Sequence, residues 1–294
     1  MTRAQHLPSI TVVIAASMWG LFWLPLRAFE RNGLDPAWTT LGQFIAPLII
    51  LLPVAFFRFM KSQTLGLGNV SSSLLIGAAF VLYYESLLLT SVVKALILFY
   101  ITPTWSTLLE VTVMKKRFSL WRGLSLALGI SGLLVILSQN SGIPVPRNLG
   151  DVMAILSGIL FSLGTMGVRR ASNTSSFDQM FSFFFYGSLV GFAIAFLPFS
   201  QLGSPPTIET MLRLGPWLIL MSVCLIIPMM WALLWASQFI DPGRLGILLQ
   251  MEAIVGITSA ALFAGEPYGL RELTGTLLVL SAGLVDIYGH RYRA

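Results

Sequence analysis

Glu85, Glu110, Glu252 and Asp286 qualify by position as carboxylic side chains inside long apolar stretches of this chain. An ionisable group at the centre of a bilayer costs about 2.5–3.5 kcal/mol on insertion scales, so each is a functional candidate by default. Glu252 lies deepest in its stretch, two residues after Gln250. Its chemistry would be to take a proton or the ammonium group of a substrate. Glu85 follows Tyr83 and Tyr84, and an ion pair with Lys94 across the next loop competes with a direct role. Glu110 stands within two helical turns of Lys115 and Lys116, and Asp286 is close to Arg291, so ordinary pairing accounts for both. Glu85 and Glu252 remain as possible coupling or charge sites.

Aromatic and small polar residues supply the second kind of chemistry. Tyrosine and tryptophan offer an apolar face to a ring and a polar tip to a hydrogen bond. The central candidates are Met18, Trp19, Phe22, Tyr83, Tyr84 and Tyr100 in the first half of the chain. In the second half they are Ser157, Phe161, Trp231, Trp235 and Gln250. Met18 with Phe22, and Trp19 with Trp23, are i,i+4 pairs on adjacent helix faces. An aromatic in such a chain is more often a packing or interfacial residue than a ligand contact. Trp38, Trp121, Trp217, Tyr268, Tyr288 and Tyr292, all near the ends of apolar stretches, are read in that way.

Other chemistries find no residues. The sequence has a single cysteine, Cys224, and its two histidines, His6 and His290, stand at opposite ends. No intramolecular disulfide, Cys/His metal site or Ser-His-Asp triad can be assembled. No phosphate-binding loop is present, and no cofactor is expected. The formal charge of +6 comes from basic residues between apolar stretches, not from a basic stripe on a soluble fold, which excludes nucleic acid as a partner.

The elements that must position these residues are membrane helices. Of the 294 residues, 56% are hydrophobic and 10% charged, and the mean hydropathy is +0.83. The apolar residues form ten runs near the length of a bilayer crossing. They are Ile10–Phe29, Ala37–Phe57, Ser71–Thr90, Val92–Val113, Leu120–Ser138, Leu149–Val168, Phe177–Pro198, Gly215–Ser237, Pro242–Ala264 and Leu270–Tyr288. The first is too long for a signal-peptide core, and no small-residue cleavage site follows it, so it reads as a spanning helix. The fourth carries Pro103 in mid-run among Phe99, Tyr100 and Trp105. Proline removes a backbone hydrogen bond and bends the axis, which lipid tolerates only where protein or a water-filled cavity supplies a partner. A bend at Pro103 with aromatics around it predicts a cavity wall.

The fourth and fifth runs return about 150 positions later. Gly243–Gly265 opens on Arg244 as the fourth run opens on Lys94, and places Gln250 and Glu252 where the first copy has Tyr100 and Thr102. Gly123–Leu137 and Gly275–Ile287 follow as small-residue-rich counterparts, with Gly132 and Gly283 in equivalent places. This predicts a repeat: residues 1–140, an external linker at 141–148 within Gln139–Asn148 (QNSGIPVPRN), and residues 149–294. Five helices per half is an odd number, so the halves are inverted, and in such transporters the site lies near the midplane between them. With both termini in the cytoplasm, twelve of the 18 basic residues lie at cytoplasmic ends and six outside, the expected bias. Gly187 and Gly191 form a GxxxG pattern whose first expectation is packing within one chain.

Ten short helices in two halves, with a small-residue helix after the Gly265–Glu266–Pro267 turn, resemble the EamA type of the drug/metabolite transporter superfamily. The resemblance covers essentially the whole chain. Within it, Trp19, Phe22, Tyr84–Glu85, Tyr100 and Pro103 resemble the YddG-type aromatic amino acid exporters. One departure is Lys115–Lys116–Arg117, where many members carry a Gly-Glu turn. The resemblance implies an all-α integral protein of the cytoplasmic membrane, working as a monomer or weak homodimer. It would export amino acids, aromatic ones first, by alternating access. A cargo of hydrophobic cations, drugs or another small metabolite is the alternative, since aromatic cages also hold cations. A membrane enzyme or a channel ranks below both.

Overall fold

The computed structural model describes residues 3–61, 70–113, 115, 118–137, 146–170, 175–197, 202–240, 242–265 and 269–291. These residues are helical and contain no strand. The helices are α1 (Arg3–Gly20), α2 (Trp23–Arg31), α3 (Pro36–Met60), α4 (Val70–Leu89), α5 (Val92–Phe99), α6 (Thr102–Thr112) and α7 (Leu120–Leu137). They continue with α8 (Leu149–Arg170), α9 (Ser176–Ala195), α10 (Ile208–Met221), a π-helical turn (Ser222–Ile226), α11 (Ile227–Ser237), α12 (Pro242–Phe263) and α13 (Leu270–Arg291). Among the described residues, six stretches are long and apolar enough to cross a membrane: Leu7–Arg31, Pro36–Met60, Val70–Leu89, Leu149–Gly167, Ser176–Ala195 and Ile208–Ser237.

Helix starts follow local chemistry. The hydroxyls of Ser91, Ser175 and Thr207 accept from the amides of Lys94, Asp178 and Thr210, satisfying donors that the first turn leaves free. Pro36 opens α3, where its missing N–H costs nothing. Gly33 turns the chain from α2 to α3 at φ +93°, a conformation that other residues avoid.

Three expected single helices are interrupted, each next to a proline. The fourth run does not bend at Pro103. It breaks at Tyr100–Ile101, and Pro103 becomes the second residue of α6. Pro103 has no N–H for Phe99 O, and the Thr102 hydroxyl donates to that oxygen instead. The first run breaks after Gly20, because Pro25 cannot donate to Leu21 O, and the Leu24 amide takes that oxygen at 3.1 Å. In the stretch that includes the eighth run, the π turn lies just ahead of Pro228, which cannot donate to Cys224 O.

Helix α4 is the hub. It packs on α2, α3, α5, α8 and α9, and it is buried on most of its circumference. The other main pairs are α7 with α13, α1 with α11 and α12, α3 with α9, and α8 with α5 and α6. Small residues permit the closest approaches. A Cβ on Gly77 of α4 would lie 2.8 Å from the amide nitrogen of Gly187 on α9. A Cβ on Gly20 would lie 2.6 Å from Glu252 O on α12. The GxxxG glycines of α9 face Phe44 and Leu41 of α3 inside the chain.

Candidate functional site

Glu252 sits at the middle of α12, 5% exposed. Its two carboxyl oxygens accept from two tyrosines on other helices. The Tyr83 hydroxyl of α4 donates to Oε1 at 2.5 Å, and the Tyr100 hydroxyl donates to Oε2 at 2.8 Å. The Tyr100 oxygen also lies 2.5 Å from Leu249 O. Tyr100 can reach because α5 ends at Phe99, so Tyr100 occupies the break rather than a helix face. A carboxylate held by two phenols in a water-poor interior is a strong, directional receptor for positive charge or a proton.

Around this group the rings form one continuous cluster. Tyr83 stacks on Phe99 with centroids 4.5 Å apart and an interplanar angle of 29°. Phe99 meets Phe161 of α8 at 5.8 Å, and Phe161 meets Phe80 of α4 at 5.9 Å. Phe80 contacts Trp19 at 5.3 Å and Phe183 of α9 at 5.3 Å. Tyr84 joins Phe22 at 4.9 Å and Phe44 of α3 at 5.8 Å. Edge-to-face and offset contacts of this kind add about 0.5–1.5 kcal/mol each beyond burial.

The structure therefore brings Trp19, Phe22, Tyr83, Tyr84, Tyr100 and Phe161 together, with Glu252 beside them. Gln250 is buried two residues earlier in α12. Ser157 is fully buried but donates to Ala154 O of its own helix at 2.6 Å. Two expected members differ from the rest in exposure: Met18 and Trp231 are 39% and 50% exposed. Trp235 is half-buried and packs on Phe239 at 5.3 Å, outside these ring contacts. The sequence reading passed over Phe44, Phe80, Phe183 and Phe184. Phe80 was findable, since it stands i−3 and i−4 to Tyr83 and Tyr84.

The pairing of Glu85 with Lys94 does not form. Lys94 makes its ion pair with Asp151 at the start of α8. Thr90 donates to the same carboxylate at 2.9 Å, and the Arg147 amide does so at 2.8 Å. Arg27 reaches across to Leu87 O and Thr90 O, both at 2.9 Å. These bonds tie α2, α4, α5 and α8 together at one end of the bundle. The opposite end carries the Arg58–Asp178 pair at 3.4 Å between α3 and α9. Side chains of Glu110, Asp286, Tyr268, Tyr288 and Tyr292 lie outside the described residues. Among the described residues no group of three or more His, Cys, Asp or Glu side chains could hold a metal ion.

The sequence model of the EamA-like transporter family matches residues 7–138 and 148–285. The chain is 23% identical over 277 residues to the biotin transporter of Escherichia coli (strain K12), covering 92% of this chain and 90% of that one. It is 22% identical over 278 residues to the biotin transporter of Salmonella typhimurium, with 92% and 90% covered. It is 21% identical over 279 residues to a probable biotin transporter of Pseudomonas aeruginosa, with 93% and 96% covered. One solved crystal structure covers all of both chains with a TM-score of 0.70 at 12% identity, a likeness of fold alone.

Proposed function

The chain belongs to the EamA-like transporter family, and from that premise we propose that it exports amino acids, aromatic ones first, around the Glu252–Tyr83–Tyr100 group. One observation carries this reading: a central carboxylate bonded by two tyrosines, bordered by a continuous aromatic cluster. The cluster suits the ring of a substrate, and Glu252 suits its ammonium group. When cargo enters, its ammonium competes with the two phenols for the carboxylate, which loosens the tie between α12, α4 and α5.

The proposed topology has ten passes. They are α1/α2, α3, α4, α5/α6, α7, α8, α9, α10/α11, α12 and α13, with residues 1–140 and 149–294 as inverted halves and both termini in the cytoplasm. The packing is consistent with this. Exchanging each pass for its counterpart five later turns the α1–α12 contact into α8 with α5 and α6, and the α4–α8 contact into α11–α1. The α3–α9 and α7–α13 pairs map onto themselves. Placement in a bacterial inner membrane follows from the same reading.

The relatives' printed cargo supports a second reading, in which the substrate is biotin, an acid with a fused ring system. The two readings part on charge at the site, because an amino acid brings an ammonium group for Glu252 to bind and biotin brings none. Cells loaded with a phenylalanine-containing dipeptide are expected to release phenylalanine faster when the protein is expressed. Unchanged release of phenylalanine, tyrosine and tryptophan, with saturable movement of biotin, would overturn the amino acid assignment in favour of the second reading.

A further inference from the structure

A second buried carboxyl is in the opposite situation to Glu252. Glu85 of α4 is 0% exposed, and neither of its oxygens has a hydrogen-bond partner among the described residues. Across the seam, α3 presents Thr40 and Gln43, which are 0% and 1% exposed. Thr40 lies beside the Glu85 carboxyl, and Phe44 meets Tyr84 at 5.8 Å, which places this turn of α3 against this turn of α4. The Thr40 hydroxyl stands near the Glu85 carboxyl without reaching hydrogen-bond geometry, and both polar atoms of the Gln43 amide also lack partners. Five buried polar side-chain atoms at one seam are thus unsatisfied together, against the rule that such groups are paired.

The charges that could compensate Glu85 are engaged elsewhere. On α2, Arg27 bonds Leu87 O and Thr90 O and lies 3.8 Å from Glu30, and Arg31 at the helix end is exposed, while Asp35 ahead of α3 accepts from the Ser204 amide. Lys94 of α5 is paired with Asp151 of α8. Arg58 of α3 and Asp178 of α9 pair with each other at the far end of the bundle. On α4 itself, Tyr83 bonds Glu252 and Tyr84 packs among rings. Tyr186 is the remaining titratable group described on α9, and it packs edge-on to Phe185. An ionised carboxylate with neither a counter-charge nor a donor is costly in a membrane, and a bound proton removes that charge. Water is near, since Leu88 and Leu89, one turn on, line an open depression of about 480 Å³ at the Lys94 end of the bundle.

We propose that Glu85 is an exchangeable-proton site, taking one proton from water at the Lys94 end when the α3–α4 seam loosens. The carboxylate gains a proton from hydronium and releases water. Gln43 and Thr40 then receive the carboxyl, the amide and hydroxyl able to donate to the ionised form or accept from the protonated one. A metal cation would also neutralise the charge, and competition by sodium distinguishes that case from a proton.

The test needs no cargo, so it stands apart from the substrate assignment. Infrared difference spectra are taken between acidic and alkaline potassium buffers on the purified full-length protein in lipid. The expected wild-type spectrum contains a protonated-carboxyl C=O band that is lost in Glu85→Gln and kept in Glu252→Gln. In Gln43→Leu, which leaves the carboxyl in place, the band should persist but appear at a different frequency or pH. A spectrum of Glu85→Gln identical to wild type, or a Gln43→Leu band unmoved in both respects, would overturn the proposal. So would a band displaced by sodium at fixed pH in wild type, which would make the site a metal-cation site.

Discussion

Tyr100 shows how one residue serves both packing and chemistry. Its ring is 4% exposed, and its single O–H lies within reach of two acceptors, Glu252 Oε2 and Leu249 O. Tyr100→Ala opens the core and should cost about 3–5 kcal/mol, the usual loss for a buried aromatic, so it confounds function with folding. Tyr100→Phe keeps the ring and removes only the hydroxyl. It should lower stability by about 1–3 kcal/mol in thermal or denaturant unfolding, because one donor to a charged group is lost. Export should fall while protein yield holds; wild-type export by Tyr100→Phe would remove the hydroxyl from the site. The identities of Tyr83, Tyr100 and Glu252 as candidates were legible in the sequence. Their convergence was not, because the residues are 169 and 152 positions apart and spacing says nothing about which helices meet. The exposure of Met18 and Trp231 was not legible for a related reason. Lipid and protein core are both apolar, so an i,i+4 pattern shows that residues share a face without showing which way the face points.

The helix interruptions follow a single rule that was only half visible beforehand. Pro25, Pro103 and Pro228 each leave a carbonyl four residues earlier without its donor and the helix is interrupted there, whereas Pro47 and Pro53 in α3 and Pro216 in α10 lie inside helices that continue past them. The sequence placed a bend at Pro103. The break at Tyr100–Ile101 depends on Thr102 donating to Phe99 O and on Gly158 of α8, where a Cβ would come within 2.9 Å of that same oxygen. Thr102→Val keeps the shape and removes the donor, leaving a buried carbonyl unpaired. The expected loss is about 1–3 kcal/mol of stability, read as a lower melting temperature of the purified protein. Thr102→Ser keeps the hydroxyl and should stay near wild type. Equal losses in the two variants would point to packing of the threonine methyl group instead. The breaks beside Pro25 and Pro228 were not anticipated, since each lies inside an apolar run whose composition is indifferent to a one-turn change in hydrogen bonding.

At the scale of the molecule, the all-helical membrane class was legible from long apolar runs, and the family from a resemblance carried by the two halves and the Gly265–Glu266–Pro267 turn. The packing that brings Lys94 to Asp151, and α4 to the centre, depends on contacts between helices that composition does not encode. The proposed topology puts Ser204 outside and Lys61 inside. In a Cys224→Ser background, Ser204→Cys should react with an impermeant thiol reagent in intact cells, and Lys61→Cys only after permeabilisation. The reverse pattern would invert the assignment of the termini. The most direct test of the transport mechanism is the initial rate of substrate counterflow in proteoliposomes, for labelled tryptophan and labelled biotin, with wild type, Glu252→Gln and the exposed-surface control Trp217→Ala. Wild type should give saturable flux of tryptophan, Trp217→Ala should match it, and Glu252→Gln should fall about tenfold or more, the equivalent of about 1.4 kcal/mol of lost interaction, with its melting temperature little changed. Saturable flux that Glu252→Gln carries at the wild-type rate would contradict a central role for the carboxylate and the two tyrosines that hold it.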